Sequence, residues 1–191
     1  MSDGQRLELV ARARRFAIDA HSDQPRIELA DQPCKEPFWK HLEAVYHVLT
    51  ERHPEDRVRD TTGLQVAWLH AVLEHSTTHP DELATRFDAN VCAAVRLGSR
   101  RIVAIPTATK TEAVFWSMLR RAPPSLRAVK LIAHIDLLNT ALRWPRSERL
   151  EALCEISDQY VLAVAADDLY LTSRLKEALQ AAKAMRHRPL D

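Results

Sequence analysis

Only three glycines, Gly4, Gly63 and Gly98, occur in 191 residues. Glycine supplies the positive φ that two-residue hairpin turns require, so a chain this poor in it has few places to reverse an antiparallel strand. Ala, Leu, Arg and Glu are abundant instead, and all four are strong helix formers. The same scarcity removes two ligand motifs, because neither a P-loop nor a dinucleotide fingerprint can be assembled from these isolated glycines.

Apolar residues recur at helical spacing along most of the chain. Val10, Ala13, Ala17 and Ala20 predict a first helix over Gln5 to His21, and Leu42, Val45, Val48 and Leu49 a second that opens near His41. Between them Pro25, Pro33 and Pro37 mark a loop that carries Gln24 and Arg26. Gln65 to Leu73 is apolar nearly all round, as expected of a helix inside a bundle, and it leads directly into Glu74. Asp81 to Phe87 and Val91 to Leu97 read as two shorter helices, with Pro80 and Asp81 in the first turn of the former. Arg101 to Thr107 is the one β-like stretch. Lys110 to Arg121 is helical again, Pro123 and Pro124 close it, and Leu126, Val129, Ile132 and Ala133 begin the next helix. Leu150 to Leu179 reads as one long helix or two with a kink. The expectation is a single all-α domain over residues 1–191, without internal repeats.

Lys and Arg number 27 against 26 Asp and Glu, so no global basic field points to nucleic acid. Cys34, Cys92 and Cys154 form no CxxC pair, which leaves no readable zinc ribbon or disulfide framework and suggests a reduced, cytoplasmic protein. Residues 1–6 lack the apolar core of a signal peptide, and no apolar run is long enough to cross a bilayer. Neither export nor a membrane partner is expected.

Chemistry can come from three separated segments: His41, His70 and the run His134-Ile135-Asp136. Imidazole and carboxylate groups brought from different helices are what a divalent metal for phosphate chemistry needs. Any one of these histidines also reads as a hydrogen-bonded core residue. Arg100-Arg101 and Arg120-Arg121 read as solvated pairs that could also lie beside a phosphate pocket.

The order and neighbours of these residues carry a resemblance. Phe16 through Arg26, Glu36 through Val45, Ala67 through His75, Thr77 through Phe87 and Ala122 through Asp136 follow one another as corresponding segments do in the small alarmone hydrolases of the RelA/SpoT type. These are HD-domain enzymes that remove the 3′-pyrophosphate of guanosine tetra- and pentaphosphate, with manganese as the metal. Glu36-Pro37-Phe38-Trp39-Lys40-His41 is similar to that family's Pro-Tyr-Ile-x-His segment, and the likeness spans about residues 7–180.

The resemblance implies an all-α HD-domain helical bundle, a guanosine tetraphosphate-like nucleotide as ligand and a manganese ion held by His41, His70 and Asp136. Ala71 stands where the family has the aspartate of its His-Asp pair and supplies no ligand. Glu74 matches the glutamate beside the nucleophilic water, and His75 replaces its acidic partner. Arg26, Thr140 and Tyr160 match substrate-binding positions, although the family has asparagine where Thr140 stands and lysine where Ile27 stands. Residues 71 and 75 share a helical face, so the His75 ring could lean over Ala71 and replace the missing ligand. Two functions follow. One is a metal-dependent (p)ppGpp-type pyrophosphohydrolase, with Glu74 and His75 as its catalytic pair, impaired at Ala71. The other is a catalytically inactive relative that binds a nucleotide or a protein partner.

Overall fold

The computed structural model describes residues 1–26, 36–52, 60–100, 108–143 and 148–186, with the backbone alone at 108–111 and 186. The β-like run at 101–107, most of the loop after Arg26 with Ile27 and Cys34, and the charged connection at 53–59 lie outside these residues. Among the described residues there are helices and no strand.

Helix α1, Asp3–Ala20, starts where Ser2 and Gln5 form a reciprocal capping box, and it ends at His21. Helix α2, Trp39–Arg52, opens two residues before His41, so that histidine sits in its first turn. Asp60 caps α3, Thr61–Leu69, by accepting the Gly63 N–H. Every residue of α3 from Gly63 to Leu69 is buried, because the helix is enclosed by α1, α2, α6 (Ala89–Leu97) and α8 (Pro124–Ala141). Two short helices, α4 (Val72–His75) and α5 (Pro80–Arg86), join α3 to α6, and α7 (Ala108–Arg120) precedes α8.

Helices α2, α3 and α8 pack on one another, and Leu42, Val45, Trp68, Leu69, Leu131 and Leu138 along them are buried. These are the three helices whose apolar faces adjoin His41, His70 and Asp136 in sequence. Packing them together brings those residues into one region.

Two departures from the sequence expectation shape that region. The apolar helix does not run unbroken into Glu74: α3 stops at Leu69, Ala71 adopts φ −110° and ψ −9°, and a new turn begins at Val72. The Glu74 N–H then bonds to the Ala71 carbonyl, which frees the carbonyl of His70 from the ladder. The C-terminal segment divides into α9 (Glu148–Ile156), a π-turn at Ser157–Val161, α10 (Leu162–Ala165) and α11 (Leu169–Arg186). The expected kink is that π-turn, a wide turn of the kind that often accompanies functional sites. No helix among the described residues is long and apolar enough to cross a membrane.

Leu42 is fully buried beside His41. Leu42→Ala should cost about 2–5 kcal/mol of folding stability, read as a lower urea midpoint at unchanged slope.

Candidate functional site

His41 and His70 face each other across the α2–α3 contact, with their Nε2 atoms 3.3 Å apart. The Nδ1 of His70 lies 2.9 Å from the Ala67 carbonyl and must donate to it, so Nε2 is that ring's acceptor. On the far side of the His41 ring, Nδ1 lies 2.6 Å from Asp136 Oδ2. Three groups distant in sequence thus form a line, Asp136–His41–His70. They do not surround a common point, because Asp136 meets the ring nitrogen opposite the one that faces His70.

Asp136 is also paired with Arg26, whose guanidinium donates to the same carboxylate oxygen and, at 2.8 Å, to Thr140 Oγ1. Thr140 in turn donates to the Asp136 carbonyl at 2.7 Å. Backbone bonds hold Arg26 there: its N–H reaches the Glu36 carbonyl and the Phe38 N–H reaches the Gln24 carbonyl, each at 2.8 Å. Burial alone would raise the Asp136 pKa. The hydrogen bond and charge of His41, with the charge of Arg26, outweigh it and hold the carboxyl below the usual aspartate value.

Glu74 is the second carboxylate of the site and has its own cation. Lys130, on α8 and only 5% exposed, places Nζ 3.3 Å from Glu74 Oε2 and 3.3 Å from the freed His70 carbonyl. Gly98 makes room for this lysine, since a Cβ there would lie 3.0 Å from Lys130 Cε. The other oxygen, Glu74 Oε1, accepts the Arg100 N–H. Burial would raise the Glu74 pKa, but Lys130 and Arg100 overcome it and lower it. For His70, burial comes first, and the charges of Lys130 and His41 add to it, so its pKa falls well below the ordinary value and the ring is neutral.

A cleft of about 480 Å³ opens beside these groups, lined by Glu74, His75, Arg100, His134 and Arg149 among others. Arg100 is held at its wall by a paired contact with Glu112 at 3.0 and 3.2 Å and by the face of Phe115. The exposed His75 ring turns toward Phe38, with centroids 5.3 Å apart. Tyr160, in the π-turn, is half-buried against the core and does not line this cleft. Arg26, Thr140 and Asp136 line a different cavity, with Asn139 and Arg143.

The donor set answers the expectation of a metal. The His41–His70 spacing of 3.3 Å suits two ligands of one ion with bonds of about 2.0–2.1 Å. The remaining residues do not fit. Asp136 is turned to Nδ1 of His41 and to Arg26, position 71 offers a methyl group, and the ammonium of Lys130 lines the same small cavity as His41, His70 and Ala71. His75 does not complete the set, and among the described residues no three His, Cys, Asp or Glu side chains are grouped so as to hold a metal ion.

No protein-family model matches the sequence, and the comparison with curated proteins gives no match. A solved structure does match: a metazoan ortholog of SpoT, which hydrolyzes ppGpp and plays a role in starvation responses. The TM-score is 0.74 over 90% of this chain and 94% of that one, at 18% sequence identity. The chain has the all-helical HD-domain fold. At that identity the likeness carries architecture, so activity has to be argued from this chain's own side chains.

Within the HD fold, Lys130 escaped the sequence reading, and Arg100 and His134 were read without the partners that place them. Lys130 interrupts an apolar run, Ala128 to Ala133, and a lone charge inside a buried stretch was the available signal. Arg100 was read as one of a pair that could lie beside a phosphate pocket, but its hold by Glu112 was not legible. His134 Nε2 bonds to Ser157 Oγ at 2.8 Å, and Ser157, at the start of the π-turn, donates to the Leu153 carbonyl at 2.6 Å. Burial, with a smaller contribution from Arg100, lowers the His134 pKa to about 3.

That depression has a definite sign. An unfolded histidine protonates below about pH 6.5 whereas folded His134 stays neutral, so the unfolded state binds the extra proton in between. Acidification from about pH 6.5 toward 3 should therefore cost about 1.4 kcal/mol per pH unit from this group alone. His134→Gln should show a correspondingly flatter dependence than the parent protein in urea melts at successive pH values.

Proposed function

We propose that this protein is a nucleotide-binding relative of the HD-domain pyrophosphohydrolases in which metal-dependent turnover is lost or strongly reduced. One observation carries the reading: each carboxylate that could serve a cation or a water molecule is already engaged by a buried side-chain cation, Asp136 by Arg26 and Glu74 by Lys130. Lys130 and Arg100, one on each of its oxygens, lower the Glu74 pKa and so weaken it as a base toward an attacking water. Manganese chemistry, with His41, His70 and Asp136 as ligands, would require that network to be rebuilt.

The ligand class follows from the cleft and from the neighbour. The cleft's volume lies in the ordinary range for a small-molecule site, and Arg100 and the exposed Arg149 supply positive charge along its wall. The matched SpoT ortholog acts on ppGpp, and a guanosine polyphosphate-like nucleotide suits such a wall. Arg26 and Thr140 take part by fixing Asp136 and His41 and by bordering the second cavity. His75 lines the same cleft, and Tyr160 is left outside this binding role.

The test is guanosine tetraphosphate incubated with manganese, scored for pyrophosphate release, beside calorimetric binding of the same nucleotide in chelator. The expected result is binding without release by the wild-type protein. The competing reading, an active metal-dependent hydrolase, draws on the spacing of His41 and His70. It would be established by wild-type release that depends on manganese and disappears in His70→Ala. Release that appears only in Ala71→Asp would mark a scaffold silenced by a missing aspartate.

A further inference from the structure

We infer that His134 is a specificity-determining residue of the cleft, whose Nδ1 accepts a hydrogen bond from a ribose hydroxyl of the bound nucleotide while arginines hold the phosphates. The inference rests on the nucleotide-binding reading above and names the part of the ligand that this wall selects.

The tautomer of the ring follows from its neighbour. Ser157 has one hydroxyl hydrogen and gives it to the Leu153 carbonyl at 2.6 Å, so its Oγ is an acceptor for His134 Nε2, 2.8 Å away. Nε2 therefore carries the hydrogen. Burial and the nearby charge of Arg100 keep the ring neutral, which leaves a lone pair on Nδ1. That nitrogen has no hydrogen-bond partner among the described residues, yet it is not one of the enclosed, unpartnered atoms of the core, and the ring it belongs to lines the cleft. Trp116 packs nearly perpendicular to the ring, with centroids 5.4 Å apart, and limits its rotation.

An acceptor in a poorly solvated wall favours a ligand that brings it a donor. The carboxylates of the same wall are already served. Glu74 receives Lys130 and the Arg100 N–H, and Glu112 receives the Arg100 guanidinium and the Trp116 indole N–H. An ionised phosphate has no hydrogen to give Nδ1 and belongs beside Arg100 and Arg149. Arg100 lies close enough to His134 for its charge to act on the ring, so a phosphate held there brings the sugar, the next group along a nucleotide, to His134. Leu137, Leu153 and Ile156 line the cleft too and give that contact apolar surroundings, in which a hydrogen bond counts for more. Guanosine tetraphosphate, esterified at its 3′ and 5′ oxygens, keeps a free 2′-hydroxyl, and that is the donor Nδ1 reads.

Calorimetric titration of the intact protein with guanosine tetraphosphate and with its 2′-deoxy analogue, both in chelator, tests this. The wild-type protein should bind the hydroxylated nucleotide about tenfold more tightly, and His134→Leu should bind the two alike. Nitrogen-15 NMR of the wild-type protein makes the comparison without any substitution: the signal of unprotonated Nδ1 should move on addition of guanosine tetraphosphate and stay in place with the deoxy analogue. Equal wild-type affinities overturn the inference, and so does a preference that survives in His134→Leu. A shift produced by both nucleotides overturns it as well, because the donor would then belong to the base. Failure of the wild-type protein to bind either nucleotide overturns the binding reading and this inference with it, whereas binding without a preference for the 2′-hydroxyl removes this inference alone.

Discussion

An ammonium group among apolar helices is tolerable only if its charge and its N–H groups are met, and the contacts of Lys130 organise much of this site. Its partners are a carboxylate, Glu74, and a carbonyl, that of His70. The carbonyl is available because α3 ends at Leu69 and the ladder restarts one residue late. In an unbroken helix the Glu74 N–H would occupy that oxygen and the ammonium would lose one acceptor. The helix break, the glycine at 98 and the orientation of Glu74 thus belong to one arrangement, with the lysine at its centre.

The line Asp136–His41–His70 follows the same logic on the other flank. Because His70 donates from Nδ1, its Nε2 is the nitrogen left to face Nε2 of His41, 3.3 Å away. Asp136, kept ionised by His41 and Arg26, lies against the opposite nitrogen of the His41 ring at 2.6 Å. A carboxylate behind an imidazole is also how many metal-bound histidines are oriented. Here the orienting partner is present, while the groups around the outward nitrogens are a second imidazole and a buried cation.

Much of this was legible in the sequence, for reasons that differ from element to element. Scarce glycine and helical spacing indicated the all-α architecture, and the order of His41, His70 and Asp136 along three apolar helices indicated that these residues would meet. The side of His41 on which Asp136 would lie was not legible, because it depends on the phase of α8 against α2 and on where Arg26 is held. The apolar pattern from Gln65 onward continues smoothly past His70, so it gave no sign of the break at Ala71. Periodicity in the last segment showed a kink without its kind, since a π-turn adds a residue to the repeat without changing its composition. His75 illustrates the limit of spacing arguments: it does share a turn with Ala71, yet its ring turns toward Phe38.

The pair of backbone bonds joining Gln24 to Phe38 and Arg26 to Glu36 has an implication for how the chain can vary. Main-chain bonds demand no particular side chain from the residues they enclose, and lengthening an enclosed segment adds closure entropy only slowly. The place of the guanidinium on Asp136 is therefore set by residues 24–26 and 36–38, whose main chains hold one another, and not by side chains at those bonds.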